Sequence, residues 1–432
     1  MSDQESEPTS APNKNKQSVG EIILEEIIAP PRSANRWRRL FQAALIPFLA
    51  ILTGLLMGAI LIVVTSPEVF AGFRESFLAG LRAVWRSVAV AYGALLTGAF
   101  GTPQEIVAAF RSGELPRIYQ AIYPITESLV AAAPYIFAGL SVALGFRTGL
   151  FNIGAEGQIF LGAIFSVFVG YSLKGLPMIV HLPLAFLAGA VGGGLWGFIP
   201  GWLKARTGAH EVINTIMLNY IAFRLSDWLL TGPMKRPGSA NPVSPMIEPS
   251  AMLPTFFGSP VRLHLGFIIA LLVAWLIHWY LFKTRWGFNL RTVGANPSAA
   301  KYAGINVLNG MVVAMSLAGA LAGLAGANEV LGVNRHLAMA FSSGYGFDAI
   351  ALALLGNSQP LGVVLASLLF GALRNGATKM QLVADIPIDI ISIVQAFVLV
   401  FVAAPAIIRA IYRLRKPPEA EEAVVAASWG GK

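Results

Sequence analysis

Three polar residues interrupt the apolar segment GLFNIGAEGQIFLGA, Gly149 to Ala163: Asn152, Glu156 and Gln158. A carboxylate and two carboxamides are groups that hold hydroxyls and amides. An ionisable side chain within a membrane span faces a bundle interior or an aqueous cavity. Two roles fit. In one, Asn152 caps a helix start and Glu156 lies near the positive helix end. Glu156 and Gln158 then satisfy backbone groups freed at a broken helix and lock its neighbours. In the other, the three residues line the path of a polar solute. The same residue types recur in the second half of the chain. Asn328, Glu329, Asn334, Tyr345 and Asp348 gather around a glycine-rich break. That break is read as the counterpart of the one at Gly149–Gly157, on weak sequence similarity.

No other pattern offers chemistry of its own. A G-x-x-x-x-G-K-[ST] phosphate loop is absent, so the chain does not bind ATP in that way. The five histidines, His181, His210, His264, His278 and His336, show no metal-ligand spacing, and there is no H-E-x-x-H. No G-x-S-x-G elbow occurs. The absence of cysteine excludes disulfides, thiolate metal sites and cysteine nucleophiles. The expectation is a chain without catalytic residues, metal or cofactor.

The elements that must position these residues are membrane helices. Hydrophobic residues make up 56% of the 432, charged residues only 12%, and the mean hydropathy is +0.66. A soluble domain carries about twice that charge. The net charge of +9 fits a membrane protein with basic cytoplasmic loops. Neither an RNP-like run nor a basic stripe interleaved with aromatics is present, so nucleic acid is not an expected partner. Ten apolar spans are read, near 41–64, 126–146, 150–172, 178–202, 211–231, 264–283, 305–327, 338–356, 360–379 and 388–411. Most reach the roughly 20 residues that cross a hydrocarbon core. The fold class is therefore an all-α polytopic membrane protein embedded in a lipid bilayer. Gly, Asn357 and Pro360 interrupt spans eight and nine, so one of them is a candidate re-entrant half-helix.

Arg32, Arg36, Arg38 and Arg39 precede the first span, and the basic runs Lys204–Arg206, Lys283–Arg285 and Arg413–Lys416 follow later ones. This asymmetry places both termini in the cytoplasm. The polar tail 1–40 includes a short amphipathic stretch, Val19 to Ile28, and the tail 413–432 carries the acidic run Glu419–Ala423. Between the tails lies one membrane domain, 41–412. Segment 65–125 holds an apolar run, Ser87–Phe100, flanked by Arg82 and Arg86. It reads as too short to span and is expected to form helices lying on the outer face. Residues 232–263 form a second outer loop, rich in Pro and Ser.

Gly189, Gly193, Gly197 and Gly201 recur every fourth residue, and Gly319 and Gly323 repeat the device. Lipid gives helices no hydrophobic reason to associate, so close approach through small residues takes that role.

The stretch VGANPSAAKYAGINV, Val293 to Val307, sits in a basic loop. Asn296 is a good N-cap, Pro297 suits the first helical position, and Gly304 ends the helix. A short cytoplasmic helix of about two turns follows, with Ala299 and Ala300 as a small face for docking and Lys301 and Tyr302 continuing it.

The chain resembles the permease subunits of bacterial ABC importers of the branched-chain amino acid and simple-sugar group, nearest to the nucleoside-importer branch. The resemblance rests on Tyr92–Ile106, Gly145–Ala163, Thr207–Ala222, Gly294–Ile305 and Gly344–Gly356, and extends over about residues 85–412. It implies a type II importer fold with two related halves. It implies a cytoplasmic ABC ATPase gripping Gly294–Ile305, a second permease that is often a different, related chain, and an extracytoplasmic substrate-binding lipoprotein. The expected cargo is a nucleoside, with a simple sugar second, carried across the inner membrane. Glu156 and Gln158 then support the translocation path, with direct substrate contact left open. The rival reading is an ion-coupled secondary transporter of a small polar solute, because Glu156, Glu329 and Asp348 are carboxylates near mid-span.

Overall fold

The computed structural model describes residues 36–386 and 389–413. The amphipathic stretch Val19–Ile28 and the acidic run Glu419–Ala423 lie outside them. The chain divides into two units, Met1–Phe48 and Leu49–Lys432. In the first, the described residues belong to the start of helix α1.

In chain order the helices are α1 (Arg36–Thr65), α2 (Pro67–Glu75), α3 (Phe77–Phe100), α4 (Pro103–Ser112), α5 (Leu115–Arg147), α6 (Ala155–Ser172), α7 (Met178–Thr207), α8 (Glu211–Thr231), α9 (Leu265–Lys283), α10 (Arg285–Ala295), α11 (Pro297–Tyr302), α12 (Val307–Asn328), α13 (Tyr345–Leu355), α14 (Pro360–Ala384), α15 (Asp389–Ala403) and α16 (Pro405–Ile411). Pro67, Pro103, Pro297, Pro360 and Pro405 each open a helix, where a missing N–H leaves no bond unmade. Eight helical stretches among the described residues are long and apolar enough to cross a membrane. The chain is a multi-pass, all-α membrane protein.

The structure differs from the expected spans and outer segment in four places, one of which is α8, a 21-residue helix at the fifth expected span that is not among those eight. The run Ser87–Phe100 is the C-terminal part of the 24-residue α3, which does not lie apart from the bundle. Arg82 and Arg86, which suggested a flank, stay exposed within its first half, where long side chains reach outward. Further along, Ala91, Leu95 and Gly98 are buried against α14, with Gly98 against Gly376. Asn375 of α14 donates to the carbonyls of Gly98 (3.0 Å) and Pro124 (2.9 Å), tying α3, α5 and α14 together. The span expected at 338–356 is only the 11-residue α13, about 16 Å long and half of a hydrocarbon core. The span at 388–411 is two shorter helices, α15 and α16.

Helix α5 runs through the centre. Tyr135, Ile136, Phe137, Leu140 and Leu144 are fully buried, and its face is covered from Thr126 to Gly145. Beside it, the expected glycine ladder forms. Gly189, Gly193 and Gly197 of α7 lie backbone to backbone with Gly319 and Gly323 of α12, and Gly201 packs on Met315. Gly162 of α6 meets Gly323 at the same level, so three helices converge where no side chain separates them.

Helix α12 does not stop cleanly. It passes into one π-helical turn, Glu329–Asn334, ended by Arg335 in the left-handed region (φ 58°). Backbone between 335 and 344 is irregular, and non-helical backbone at membrane depth needs partners. Loop 232–263 provides them. Ser244 N–H donates to the Leu337 carbonyl (2.9 Å), Ile247 N–H to Arg335 (3.0 Å) and Leu253 N–H to Leu331 (3.0 Å). The loop is thus an ordered cover over the broken helix.

Candidate functional site

The segment at Gly294–Ile305 is a chain of capped helices. Thr284 Oγ1 accepts from the Gly287 N–H (3.1 Å) and opens α10. Asn296 Oδ1 accepts from the Ala299 N–H (3.0 Å) and opens α11, with Pro297 next. Asn306 Oδ1 accepts from the Asn309 N–H (3.0 Å) and opens α12. Gly304 follows α11 at φ 78°, a conformation that disfavours a side chain, and the Ile305 N–H closes the end onto the Ala300 carbonyl (2.9 Å). Two successive reversals are therefore fixed by side chains rather than left to a loose loop.

One expectation is corrected here. Ala300 is not part of an exposed docking face; it is fully buried and anchors α11. The exposed positions are Ala295 to Ala299 and Lys301 to Gly304, and Tyr302 projects with 98% of its surface free. On a 3.6-residue period Tyr302 lies about 200° from Ala300, so burial of one exposes the other. Docking chemistry at this end rests on Ala299, Lys301 and the aromatic ring.

The root of α11 is held without side chains. Gly149, at φ 72°, and Gly294 touch backbone to backbone; a Cβ on Gly149 would stand 3.0 Å from the Gly294 Cα, and one on Gly294 would stand 2.5 Å from the Arg147 carbonyl oxygen. Arg147, the last residue of α5, donates to the carbonyls of Ser358 (3.1 Å) and Asn357 (3.0 Å), in the turn between α13 and α14. Its guanidinium and that of Arg291 both lie over the Phe282 ring, at 5.8 and 5.0 Å. One contact patch therefore joins the base of α11 to α5 and to the α13–α14 turn.

From Gly149 the chain enters the segment with the three polar residues. Asn152 and Gln158 form a reciprocal amide pair, at 2.8 and 3.1 Å, and Asn152 also donates to Ser141 Oγ (3.2 Å). Asn152 is not the expected cap of α6. Gly154 holds that position, and Asn219 of α8 accepts from the Gly157 N–H (2.8 Å) in its place. Glu156 reaches across to α13, where its Oε2 accepts from the Gly346 N–H (2.6 Å). Each broken helix is thus capped by another helix: α6 by Asn219, α13 by Glu156. This satisfies orphan N–H groups that lipid cannot.

On the same first turn of α13 lies a polar and aromatic centre. Tyr135 of α5 donates to Asp348 Oδ2 (2.9 Å) and accepts from Arg374 Nη1 of α14 (3.0 Å). Arg374 and Asp348 stand 4.0 Å apart. Arg374 also lies 5.3 Å over Tyr345, which meets Tyr135 edge-on at 4.9 Å. Glu329 is buried, and its Oε2 accepts from Asn334 Nδ2 at 3.4 Å. Asn328 is buried with neither amide atom bonded to protein, against Gly266 and apart from these groups.

The structure therefore brings Tyr345 and Asp348 to one centre, while Glu329 and Asn334 pair with each other. Asn152 and Gln158 pair with each other, and Glu156 serves the start of the same half-helix. Sequence reasoning missed Tyr135 and Arg374. Arg374 offered a signal, as an arginine inside a long apolar helix; Tyr135 offered none.

At the far end of α5, Arg262 of loop 232–263 makes a two-pronged pair with Glu127, 3.1 Å from Nε to Oε1. The Glu127 carboxylate raises the Arg262 guanidinium above its ordinary pKa. No cluster of metal-ligating side chains occurs among the described residues.

Residues 125–403 match the family model described as branched-chain amino acid transport system / permease component. The guanosine ABC transporter permease protein of Bacillus subtilis is 40% identical over 371 residues, covering 84% of this chain and 94% of that protein. A nucleoside ABC transporter permease protein of Lactococcus lactis is 32% identical, over 88% of this chain and 96% of its own. A glucose ABC transporter permease protein of Haloferax volcanii is 37% identical, over 65% and 76%. No solved structure matches the chain.

Proposed function

The chain belongs to the branched-chain amino acid transport system permease family, and we propose that the importer it serves carries a nucleoside, with a simple sugar as the second candidate. It is the membrane-spanning subunit of an ABC transporter, a transport component rather than an enzyme, and works with ATPase and substrate-binding partners. The nucleoside reading is supported by the two relatives matched over 94% and 96% of their length, whose names specify guanosine and nucleosides. The sugar reading is supported by the relative named for glucose.

The observation that carries the mechanism is α11. A subunit without a phosphate loop must receive the work of ATP hydrolysis through a surface contact, and that contact must be stiff. Asn296, Pro297 and Gly304 provide stiffness, and Tyr302 and Lys301 provide the exposed contact. Displacement of α11 passes through Gly294 to Gly149, and through Arg147 to the turn that carries α13. In this reading the Gly294 end faces the cytoplasm and loop 232–263 faces outward, where a substrate-binding lipoprotein delivers cargo. Both termini are cytoplasmic, the membrane is the inner one, and a second, related permease completes the path.

The test is reconstitution with the ATPase, the second permease and the lipoprotein. ATP-dependent uptake of nucleosides supports the reading; uptake driven by a proton or sodium gradient without ATPase overturns it.

A further inference from the structure

Resting on the reading of the cargo as a nucleoside or sugar, we propose that Tyr135, Asp348 and Arg374 form the point in the translocation path where the hydroxyls of the cargo's sugar ring are held. The three groups come from α5, the half-helix α13 and α14, and meet inside the bundle. A guanidinium and a carboxylate at such depth do not face hydrocarbon. Yet their side chains keep 30% and 31% of their surface open, while Tyr135 beside them is fully buried. The open third therefore faces a polar space, and the protein there presents two opposite charges to whatever passes.

Their spacing selects the kind of group that fits. Arg374 and Asp348 are too far apart for a close ion pair, and the gap is bridged by a hydroxyl, that of Tyr135, which accepts from one and donates to the other. Each hydroxyl of a sugar ring offers the same donor and acceptor. A guanidinium has five N–H donors and a carboxylate about four lone-pair sites, so the pair can take two neighbouring hydroxyls beside or in place of the phenol. Phe347, 47% exposed and next to Asp348 in sequence, offers apolar surface for the ring face or the base.

Exchange of one hydroxyl for another suits a transport path, where a site must bind and release. It also links cargo to the moving parts. Asp348 sits two residues beyond Gly346, whose N–H Glu156 holds, and α13 ends at the turn that Arg147 grips.

The test uses the complete complex in proteoliposomes, with guanosine and 2′,3′-dideoxyguanosine as cargoes and uptake normalised to lipoprotein occupancy measured for each. Asp348→Asn alters the acceptor; Tyr135→Phe removes the bridging hydroxyl and keeps the buried ring. In both, guanosine uptake is expected to fall about tenfold relative to dideoxyguanosine uptake measured with the same variant. Equal slowing of both cargoes, or slowing of neither, overturns the assignment and leaves the cargo reading intact. If the wild-type complex takes up neither guanosine nor glucose, the cargo reading fails and this assignment falls with it.

Discussion

The Glu156 carboxylate accepts a 2.6 Å hydrogen bond from the Gly346 N–H, so the first turn of one broken helix caps the first turn of another, 190 positions away in sequence. An acidic group at a helix N-terminus also complements the positive end of the helix. Glu156→Gln keeps an acceptor of the same reach, and near-normal yield and stability are expected. Glu156→Ala leaves a buried N–H unpaired, a loss of about 1–3 kcal/mol. Thermal unfolding of the purified complex in detergent separates the two. Equal stability of the alanine and glutamine variants contradicts the capping role.

The Gly149–Gly294 contact leaves no room for a methyl group. A Cβ on Gly294 would crowd the Arg147 carbonyl and the Thr148 backbone, at 2.5 and 2.7 Å. Gly294→Ala is expected to tilt α11 away from its root, leaving the bundle assembled but lowering ATP-driven uptake at least tenfold. Measured uptake per assembled complex checks this. Unchanged uptake would show that the contact carries no displacement.

The ladder of Gly193 and Gly197 against Gly319 and Gly323 gives a packing test. Leu at either α7 position forces the helices apart, and overpacking of this kind costs typically 1–3 kcal/mol. The yield of monodisperse protein after extraction is expected to drop for both variants. Normal yield for both contradicts the close approach of α7 and α12.

Much of this was legible because the signals are local. Asn296, Pro297 and Gly304 announce α11 by cap chemistry, and glycines every fourth residue announce the ladder. The partners of the polar residues were not legible, since Glu156 meets Gly346 and Asn152 meets Gln158 only once the breaks are folded. Periodicity also misled. Arg82 and Arg86 masked the length of α3, and the small side chain of Ala300 suggested a docking surface where it fills a buried site. Tyr135 looked like one more aromatic in an apolar helix; only α13 and α14 brought it Asp348 and Arg374.

Sidedness is open to a direct assay. A reporter fused after Lys204 or Arg291 is expected to read cytoplasmic, and one within 232–263 extracytoplasmic. Lys204 pairs with Glu211 at 2.8 Å, so the fusion after Arg291 avoids disturbing that short connection. Reversed signs overturn the assignment of the Gly294 end to the ATPase.

The most direct test of the central claim, that α11 receives the work of the ATPase, is co-purification of the ATPase with α11 variants beside ATP-driven uptake in vesicles. Tyr302→Ala removes the exposed ring and touches no buried group. Gly304→Val strains the left-handed position after α11, by about 1–2 kcal/mol. Ala300→Glu serves as a contrast, because a charge in a buried site disturbs α11 itself. The expected result is a membrane domain of normal yield with Tyr302→Ala, ATPase recovery reduced at least tenfold, and uptake lost in proportion. Full ATPase recovery and normal uptake with both Tyr302→Ala and Gly304→Val would contradict it.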